Sequence, residues 1–120
     1  MPKLLVVEDE AAIRRVLVKI LAEQDEKNEI DEAENGKVAI SKFKESDYDL
    51  VLCDIKMPGA DGIDVLDFIM KEKPETAVIM ISGHGDLDTA VECIKKGAFD
   101  YISKPPDLNR LLQTVKLGLE

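Results

Sequence analysis

Five polar residues of this sequence could together bind a divalent cation and a phosphoryl group. They are Glu8, Asp9, Asp54, Ser82 and Lys104, and each lies at or directly after the end of a short, strand-like apolar run. In an open parallel α/β sheet, ligands bind at the carboxyl ends of the strands. The sequence therefore predicts that three carboxylates, a hydroxyl and an ammonium meet at one edge of such a sheet.

The three carboxylates suit a magnesium ion, which takes oxygen ligands and is usually bound through one or two carboxylates. Glu8 and Asp9 taken alone could equally form a solvated acidic loop that caps the first helix. Asp54 at a neighbouring strand end favours the metal site, because three carboxylates packed together without a cation would repel one another.

Asp54, Ser82 and Lys104 could take part in phosphoryl transfer. Each of them could also have an ordinary structural role. Asp54 at the end of a buried strand can be a nucleophile toward phosphorus, or a turn-forming Asp before a Pro/Gly loop. Ser82 can hydrogen-bond a phosphoryl oxygen, or simply begin the turn at Gly83. Lys104 precedes two prolines and would be costly as an unpaired inward ammonium. If it pointed outward, it would be an ordinary solvated lysine.

Strands and helices alternate along the chain that must position these residues. The predicted strands are residues 3–7, 29–33, 50–53, 77–81 and 99–103. Apolar residues spaced three and four apart predict helices between them, the first over about residues 11–25 and the last after a capping Asp107. The alternation predicts one domain over residues 1–120, a doubly wound parallel (βα)₅ sheet of the flavodoxin-like α/β class. In the common strand order 2-1-3-4-5, the first and third strands lie side by side at the ligand-binding crevice.

Composition narrows the class of protein. A chain of 120 residues is long enough for one domain with a core. A net charge of −9 argues against direct nucleic-acid binding. The absence of a long apolar run or a signal-peptide pattern predicts a cytoplasmic protein that does not enter the membrane. Cys53 and Cys93 lie far apart in apolar patterns, which predicts reduced, buried thiols.

Four segments of the sequence resemble the receiver domain of bacterial two-component response regulators. They are VEDE at 7–10, DIKMPGADG at 54–62, ISGHG at 81–85 and GAFDYISKP at 97–105. The resemblance covers essentially the whole chain. Within that family, residues 82–86 and 97–101 look most like receivers attached to activators of the alternative sigma factor. No effector segment follows within the 120 residues, so a stand-alone receiver and a fragment of a longer protein both stay open.

The resemblance implies a role for each site residue. Asp54 would accept a phosphoryl group from a sensor histidine kinase or a phosphotransfer protein. Asp9, Asp54 and the backbone carbonyl of Lys56 would bind Mg²⁺ directly, while Glu8 would act mainly through water. Lys104 would pair with the phosphoryl group and precede a cis peptide bond.

The resemblance also implies how the signal is read and how long it lasts. Ser82 would bond the phosphoryl oxygen and Tyr101 would rotate, although Tyr101 is equally compatible with a half-buried strand residue. The surface of the fourth helix, fifth strand and fifth helix would then respond and act on an effector domain, a downstream protein or a second copy of the chain. Lys56 and His84 would flank the attacking water and tune the lifetime of the phosphoryl group. The domain would be a signalling module that catalyses its own phosphorylation and dephosphorylation and not a metabolic enzyme.

The sequence departs from the family pattern at three places. Glu8 stands where Asp is usual, Pro106 stands where an aromatic residue is common, and residues 23–28 are charged where a Gly turn is frequent. The added methylene of Glu8 lengthens that ligand. None of the three departures removes a central site residue.

Three other functions compete with the receiver hypothesis. A Mg²⁺-dependent phosphatase with an aspartyl-phosphate intermediate would need a second carboxylate close behind the nucleophile, but position 56 is Lys. A degenerate receiver that only binds partners disagrees with the intact Asp9, Asp54, Ser82 and Lys104. A nucleotide-binding domain would need a Gly-rich loop after the first strand, and none is present there.

Overall fold

A computed structural model of the protein describes residues 2–57, 61–83 and 87–120. Five strands form one parallel sheet: β1 (Lys3–Val7), β2 (Glu29–Ala33), β3 (Leu50–Asp54), β4 (Ala77–Ser82) and β5 (Asp100–Ser103). Five helices alternate with them: α1 (Ala11–Gln24), α2 (Gly36–Glu45), α3 (Gly62–Glu72), α4 (Leu87–Lys95) and α5 (Leu108–Gly118). The strand order is β2-β1-β3-β4-β5, which confirms the predicted doubly wound α/β fold.

The core lies in two layers, one on each face of the sheet. Side chains of α1 and α5 pack on one face, where Leu17, Leu21 and Leu111 are buried. Side chains of α2, α3 and α4 pack on the other, where Phe43 and Ile69 are buried. Because both faces are covered, the central strands β1, β3 and β4 consist almost entirely of buried residues, as in other parallel sheets.

Local sequence signals explain where several helices begin and end. The Asp107 carboxylate accepts hydrogen bonds from the backbone N–H groups of Asn109 and Arg110, which confirms its predicted capping role. Asp61 caps α3 in the same way and forms a reciprocal capping box with Asp64, a signal that the sequence analysis did not use. Gly97 follows α4 with φ of 111°, a left-handed conformation that glycine adopts without steric cost.

The predicted boundaries of β1 and β2 agree with the observed ones, and those of the other elements differ by one to a few residues. Strands β3 and β4 each extend one residue further, so that Asp54 and Ser82 are the last residues of their strands. The second helix begins at Gly36 because Asn35 caps it by accepting a hydrogen bond from the Val38 N–H. Within residues 2–57, 61–83 and 87–120, no helix has the length and apolar character needed to cross a membrane.

Candidate functional site

The carboxyl ends of β1 and β3 bring the acidic residues together. The two strands pair in register with Val7 beside Cys53, so the next residues along each chain segment, Glu8 and Asp54, are neighbours. Glu8 follows β1 and is 1% exposed, and Asp54 ends β3 and is 7% exposed. Two carboxylates are therefore buried at the same edge of the sheet, where each needs a cationic or hydrogen-bonding partner.

Lys104 provides the cationic partner for both buried acids. Its Nζ atom lies 2.5 Å from Oε1 of Glu8 and 3.1 Å from Oδ2 of Asp54, and its side chain is 17% exposed. Burial disfavours the ammonium, but the hydrogen bonds to Glu8 and Asp54 outweigh that cost and raise the pKa of Lys104 above its ordinary value. Lys104 thus points into the site and carries its positive charge there.

Asp9 completes a cluster that fits a divalent cation. One carboxylate oxygen from each of Glu8, Asp9 and Asp54 lies within 4.8 Å of the others, and Asp9 is exposed to solvent. Partial desolvation at the edge of the site, together with the neighbouring Glu8 carboxylate, raises the pKa of Asp9. A cation between these groups would relieve that repulsion, and hard carboxylate oxygens are the ligands that Mg²⁺ prefers.

Each polar group of Glu8, in the main chain and in the side chain, takes part in a hydrogen bond. Its N–H donates to the Ala33 carbonyl at 3.0 Å, and its carbonyl accepts from Nη1 of Arg14 at 2.7 Å. Its Oε2 atom accepts from the Glu10 N–H at 3.1 Å, and its Oε1 atom contacts Lys104. The single carboxylate of Glu8 thus serves both a loop N–H and the lysine.

A main-chain hydrogen bond connects Ser82 with Lys104. Ser82 is buried at the end of β4 and lies opposite Ser103 of β5, and its carbonyl accepts a hydrogen bond from the Lys104 N–H at 2.8 Å. The Lys104–Pro105 peptide bond is cis, as the family resemblance implies. Tyr101 is half-buried in β5 against the core layer formed by α2, α3 and α4.

Gly62 lets α3 begin directly against the end of β3, and the sequence analysis did not single it out. A Cβ atom at position 62 would lie 2.2 Å from the Asp54 carbonyl oxygen and 2.7 Å from the Ile55 Cα atom. Because these are backbone atoms, a larger residue would push the helix away from the strand end. The signal that could have found it is the Asp61-Gly62 pair at the start of the apolar pattern of α3.

Of the two residues predicted to tune the phosphoryl lifetime, Lys56 is among the described residues. Lys56 is exposed two residues after Asp54, at the same edge of the sheet. The predicted metal contact through its carbonyl stays a prediction. His84 lies outside the described residues.

The sequence matches the family model described as "Response regulator receiver domain" over residues 4–116. It is 38% identical to the response regulator protein PilR of Pseudomonas aeruginosa and 46% identical to the transcriptional regulatory protein ResD of Bacillus subtilis. These alignments cover 98% and 95% of this chain but 26% and 46% of the relatives, so the chain spans less than half of their length. It is also 40% identical to the chemotaxis protein CheY of Listeria monocytogenes, with 97% of both chains covered.

Solved structures agree with the sequence comparisons. A response regulator receiver domain protein from Clostridium thermocellum superposes with a TM-score of 0.92 at 35% identity, covering 99% of this chain and 94% of that one. The beryllofluoride-activated NtrC4 receiver domain dimer gives a TM-score of 0.91 at 40% identity, covering 99% of this chain and 97% of that one. Both likenesses extend over nearly the entire fold described above.

Proposed function

Because this chain belongs to the response regulator receiver domain family, whose members are phosphorylation-controlled switches of two-component signalling, we propose that Asp54 is its phosphoryl acceptor. One observation carries the assignment to this residue. Asp54 ends a central strand within 4.8 Å of two other acidic ligands and in contact with the Lys104 ammonium. A nucleophilic carboxylate, a candidate cation site and a positive charge for the incoming phosphoryl oxygens thus lie together.

The reaction at Asp54 is a phosphoryl transfer from an oxygen or nitrogen atom of the donor to a carboxylate oxygen. A carboxylate oxygen of Asp54 forms a bond to phosphorus while the bond from phosphorus to the donor atom breaks, and the donor leaves with that electron pair. With a sensor histidine kinase or a phosphotransfer protein, the donor atom is a histidine nitrogen. Lys104 would move from the carboxylate toward the new phosphoryl oxygens, which carry more negative charge. The domain is a signalling module and not a metabolic enzyme, and its own dephosphorylation is part of this proposal.

Mg²⁺ is the cofactor that the acidic cluster fits. Asp9, Asp54 and the Lys56 carbonyl would hold the ion directly, and Glu8 would act mainly through water, since protein groups already contact both of its carboxylate oxygens. When bound, the ion supplies positive charge that offsets the charge of the phosphoryl group. The chain's own residues position the nucleophile and the lysine.

We expect the metal ligands to differ in the size of their effect on Mg²⁺ binding. Asp9→Asn should weaken binding most, because Asp9 is exposed and its carboxylate is available to the ion. Glu8→Gln should weaken it less, because Glu8 would act through water. Calorimetric titration of Mg²⁺ into the wild type and both variants measures this order. Equal and negligible effects of the two substitutions would contradict the metal site.

An exposed apolar surface suggests where the switch acts. On α4, Leu87 is 76% exposed, and Val91 and Ile94 are also exposed, although their helical spacing would suit a buried face. Phe99 beside β5 and Leu108 at the start of α5 are exposed as well. Apolar surface of this kind is typical of partner contacts. We therefore propose that α4, β5 and α5 form the response surface, which binds an effector domain, a downstream protein or a second copy of the chain after phosphorylation.

Ser82 should couple phosphorylation to that response surface. In Ser82→Ala, Asp54 keeps its carboxylate, so we expect phosphorylation to persist while the change at α4 and β5 weakens. Backbone amide shifts of residues 87–103, recorded with and without beryllofluoride as a phosphoryl mimic, measure the response. Shift changes in Ser82→Ala as large as in the wild type would exclude coupling through this hydroxyl.

The remaining assignments are also proposals. Tyr101 would rotate with the switch, and Lys56 and His84 would tune the lifetime of the phosphoryl group. Residues 1–120 would form one cytoplasmic receiver domain without direct contact to nucleic acid or membrane. The matches to PilR and ResD, which are much longer than this chain, support an attached effector in transcription regulation, including that of activators of the alternative sigma factor. The match to CheY along its full length supports a stand-alone receiver equally well.

A further inference from the structure

We propose that Arg14 is a positioning residue for Asp9, and that it sets the Mg²⁺ affinity of the site without touching the ion. The inference rests on the proposed metal site. Arg14 lies in the first turn of α1, and its side chain is 16% exposed. Its guanidinium donates through Nη1 to the Glu8 carbonyl at 2.7 Å and through Nε to Oε1 of Glu32 at 3.1 Å.

The bond to the Glu8 carbonyl acts on Asp9 through the planar peptide. The Glu8 carbonyl and the Asp9 nitrogen and Cα atoms belong to the same plane, because the peptide bond has partial double-bond character. Fixing the carbonyl oxygen therefore restricts where the Asp9 Cα atom, from which the side chain starts, can lie. Asp9 is exposed, and burial does little to hold it in place.

The bond to Glu32 gives the guanidinium a second, independent anchor. Glu32 belongs to β2, which pairs with β1, and the Glu32 carbonyl is contacted by Nζ of Lys42 in α2. The planar fork of an arginine can reach two acceptors in fixed directions, which an ammonium cannot do. Arg14 thus joins α1, the loop after β1 and the edge strand at one point.

If Arg14 positions Asp9, removing it should weaken Mg²⁺ binding, whereas simple electrostatics predicts that removing its positive charge should strengthen it. By Coulomb's law, loss of a positive charge near the acidic cluster should favour a bound cation. Loss of an outer-shell group that orients a metal ligand typically weakens metal affinity by about 10–100-fold. A weaker affinity for Mg²⁺ in Arg14→Met therefore identifies positioning, since the charge effect has the other sign.

The test is a Mg²⁺ titration of the 120-residue chain, followed by calorimetry and by the backbone amide shifts of Asp9 and Glu10. We expect Arg14→Met to weaken Mg²⁺ binding by about tenfold. We expect the Asp9 and Glu10 shifts to change before any Mg²⁺ is added. With a small phosphoryl donor, the Mg²⁺ concentration for half-maximal phosphorylation should rise while the rate at saturating Mg²⁺ stays near that of the wild type.

Arg15→Met is the matched control, because Arg15 is the exposed neighbour on the same helix and the substitution removes the same charge. It should leave Mg²⁺ affinity unchanged or slightly tighter. Arg14→Lys keeps the charge but cannot make both bonds, so it should weaken binding severalfold. If a urea titration shows that Arg14→Met is unfolded, Arg14→Lys becomes the test of whether Arg14 positions Asp9.

Two results would overturn the inference in distinguishable ways. Wild-type or tighter Mg²⁺ affinity in Arg14→Met or, where that variant does not fold, wild-type affinity in Arg14→Lys would exclude positioning by Arg14. If Asp9→Asn still weakened binding in the same experiment, the metal site itself would stand. Unchanged affinity in Asp9→Asn would instead remove the proposed metal site, and the role of Arg14 with it.

Discussion

Asp54→Asn is expected to abolish phosphorylation by a small donor such as acetyl phosphate in the presence of Mg²⁺. In the wild type, the Asp54 carboxylate would attack phosphorus and acetate would leave, so the intact mass should rise by about 80 Da. An asparagine amide is a poor nucleophile and carries no negative charge for Mg²⁺ or Lys104. We therefore expect no mass gain in the variant under conditions in which the wild type is fully modified.

A matched control separates this effect from a general loss of one acidic residue. Asp47 precedes the same strand β3 at its opposite end, and its side chain is 86% exposed. Asp47→Asn should be phosphorylated like the wild type. The assignment of Asp54 would be refuted by an 80 Da gain (about one phosphoryl group) in Asp54→Asn that maps to another residue.

Lys104→Met should lower the free energy of unfolding by about 3 kcal/mol at neutral pH, the range observed when one partner of a buried ion pair is removed. The substitution leaves Glu8 and Asp54 buried next to each other without the ammonium that contacts both. Methionine keeps a similar length and apolar stem, so the change isolates the charge. Urea denaturation of both proteins measures the difference. Added Mg²⁺ should recover part of it, because an ion bound to the folded state stabilises that state.

The pH dependence of this difference has a definite sign. The pKa of Lys104 is raised in the folded protein above its ordinary value of about 10.5. Its contribution is therefore fully present below about pH 10.5 and is lost as the pH rises through the raised pKa. As the pH rises through that alkaline range, the stabilities of the wild type and Lys104→Met should therefore converge.

Lys56→Met is the control for Lys104→Met, since Lys56 is an exposed lysine at the same edge of the sheet. Its unfolding free energy should stay within about 0.5 kcal/mol of the wild type, as for most surface substitutions. A stability loss in Lys104→Met no larger than in Lys56→Met would mean that the buried acids do not need the lysine.

The local pattern of residue types was sufficient to predict the order of strands and helices and several neighbours at the site. The period of apolar residues separates strands from helices within a few residues, and the predicted bounds of β1 and β2 agree with the structure. Residue types at strand ends identify Glu8, Asp9 and Asp54 as neighbours, because parallel strands share one carboxyl edge. The capping role of Asp107 could also be predicted, since it depends on the next three residues alone.

Other features were decided by packing and could not be predicted from pattern. The apolar spacing of Leu87, Val91 and Ile94 correctly indicates a helix, yet these side chains are exposed in α4 and Cys93 is buried instead. Periodicity reports that a helix has an apolar face, but which face the sheet covers depends on how the helix packs. The need for glycine at position 62 also depends on packing, because it comes from the close approach of α3 to β3.

The sequence left open whether the Lys104 side chain points into the site or toward solvent, and the tertiary structure decided this. Lys104 reaches Glu8, 96 residues away, and Asp54, 50 residues away. Arg14 contacts the Glu8 carbonyl and a carboxylate of β2 in the same way. Such contacts depend on distances of a few ångströms between segments that only the folded sheet brings together, and electrostatic interactions of buried groups change steeply over those distances.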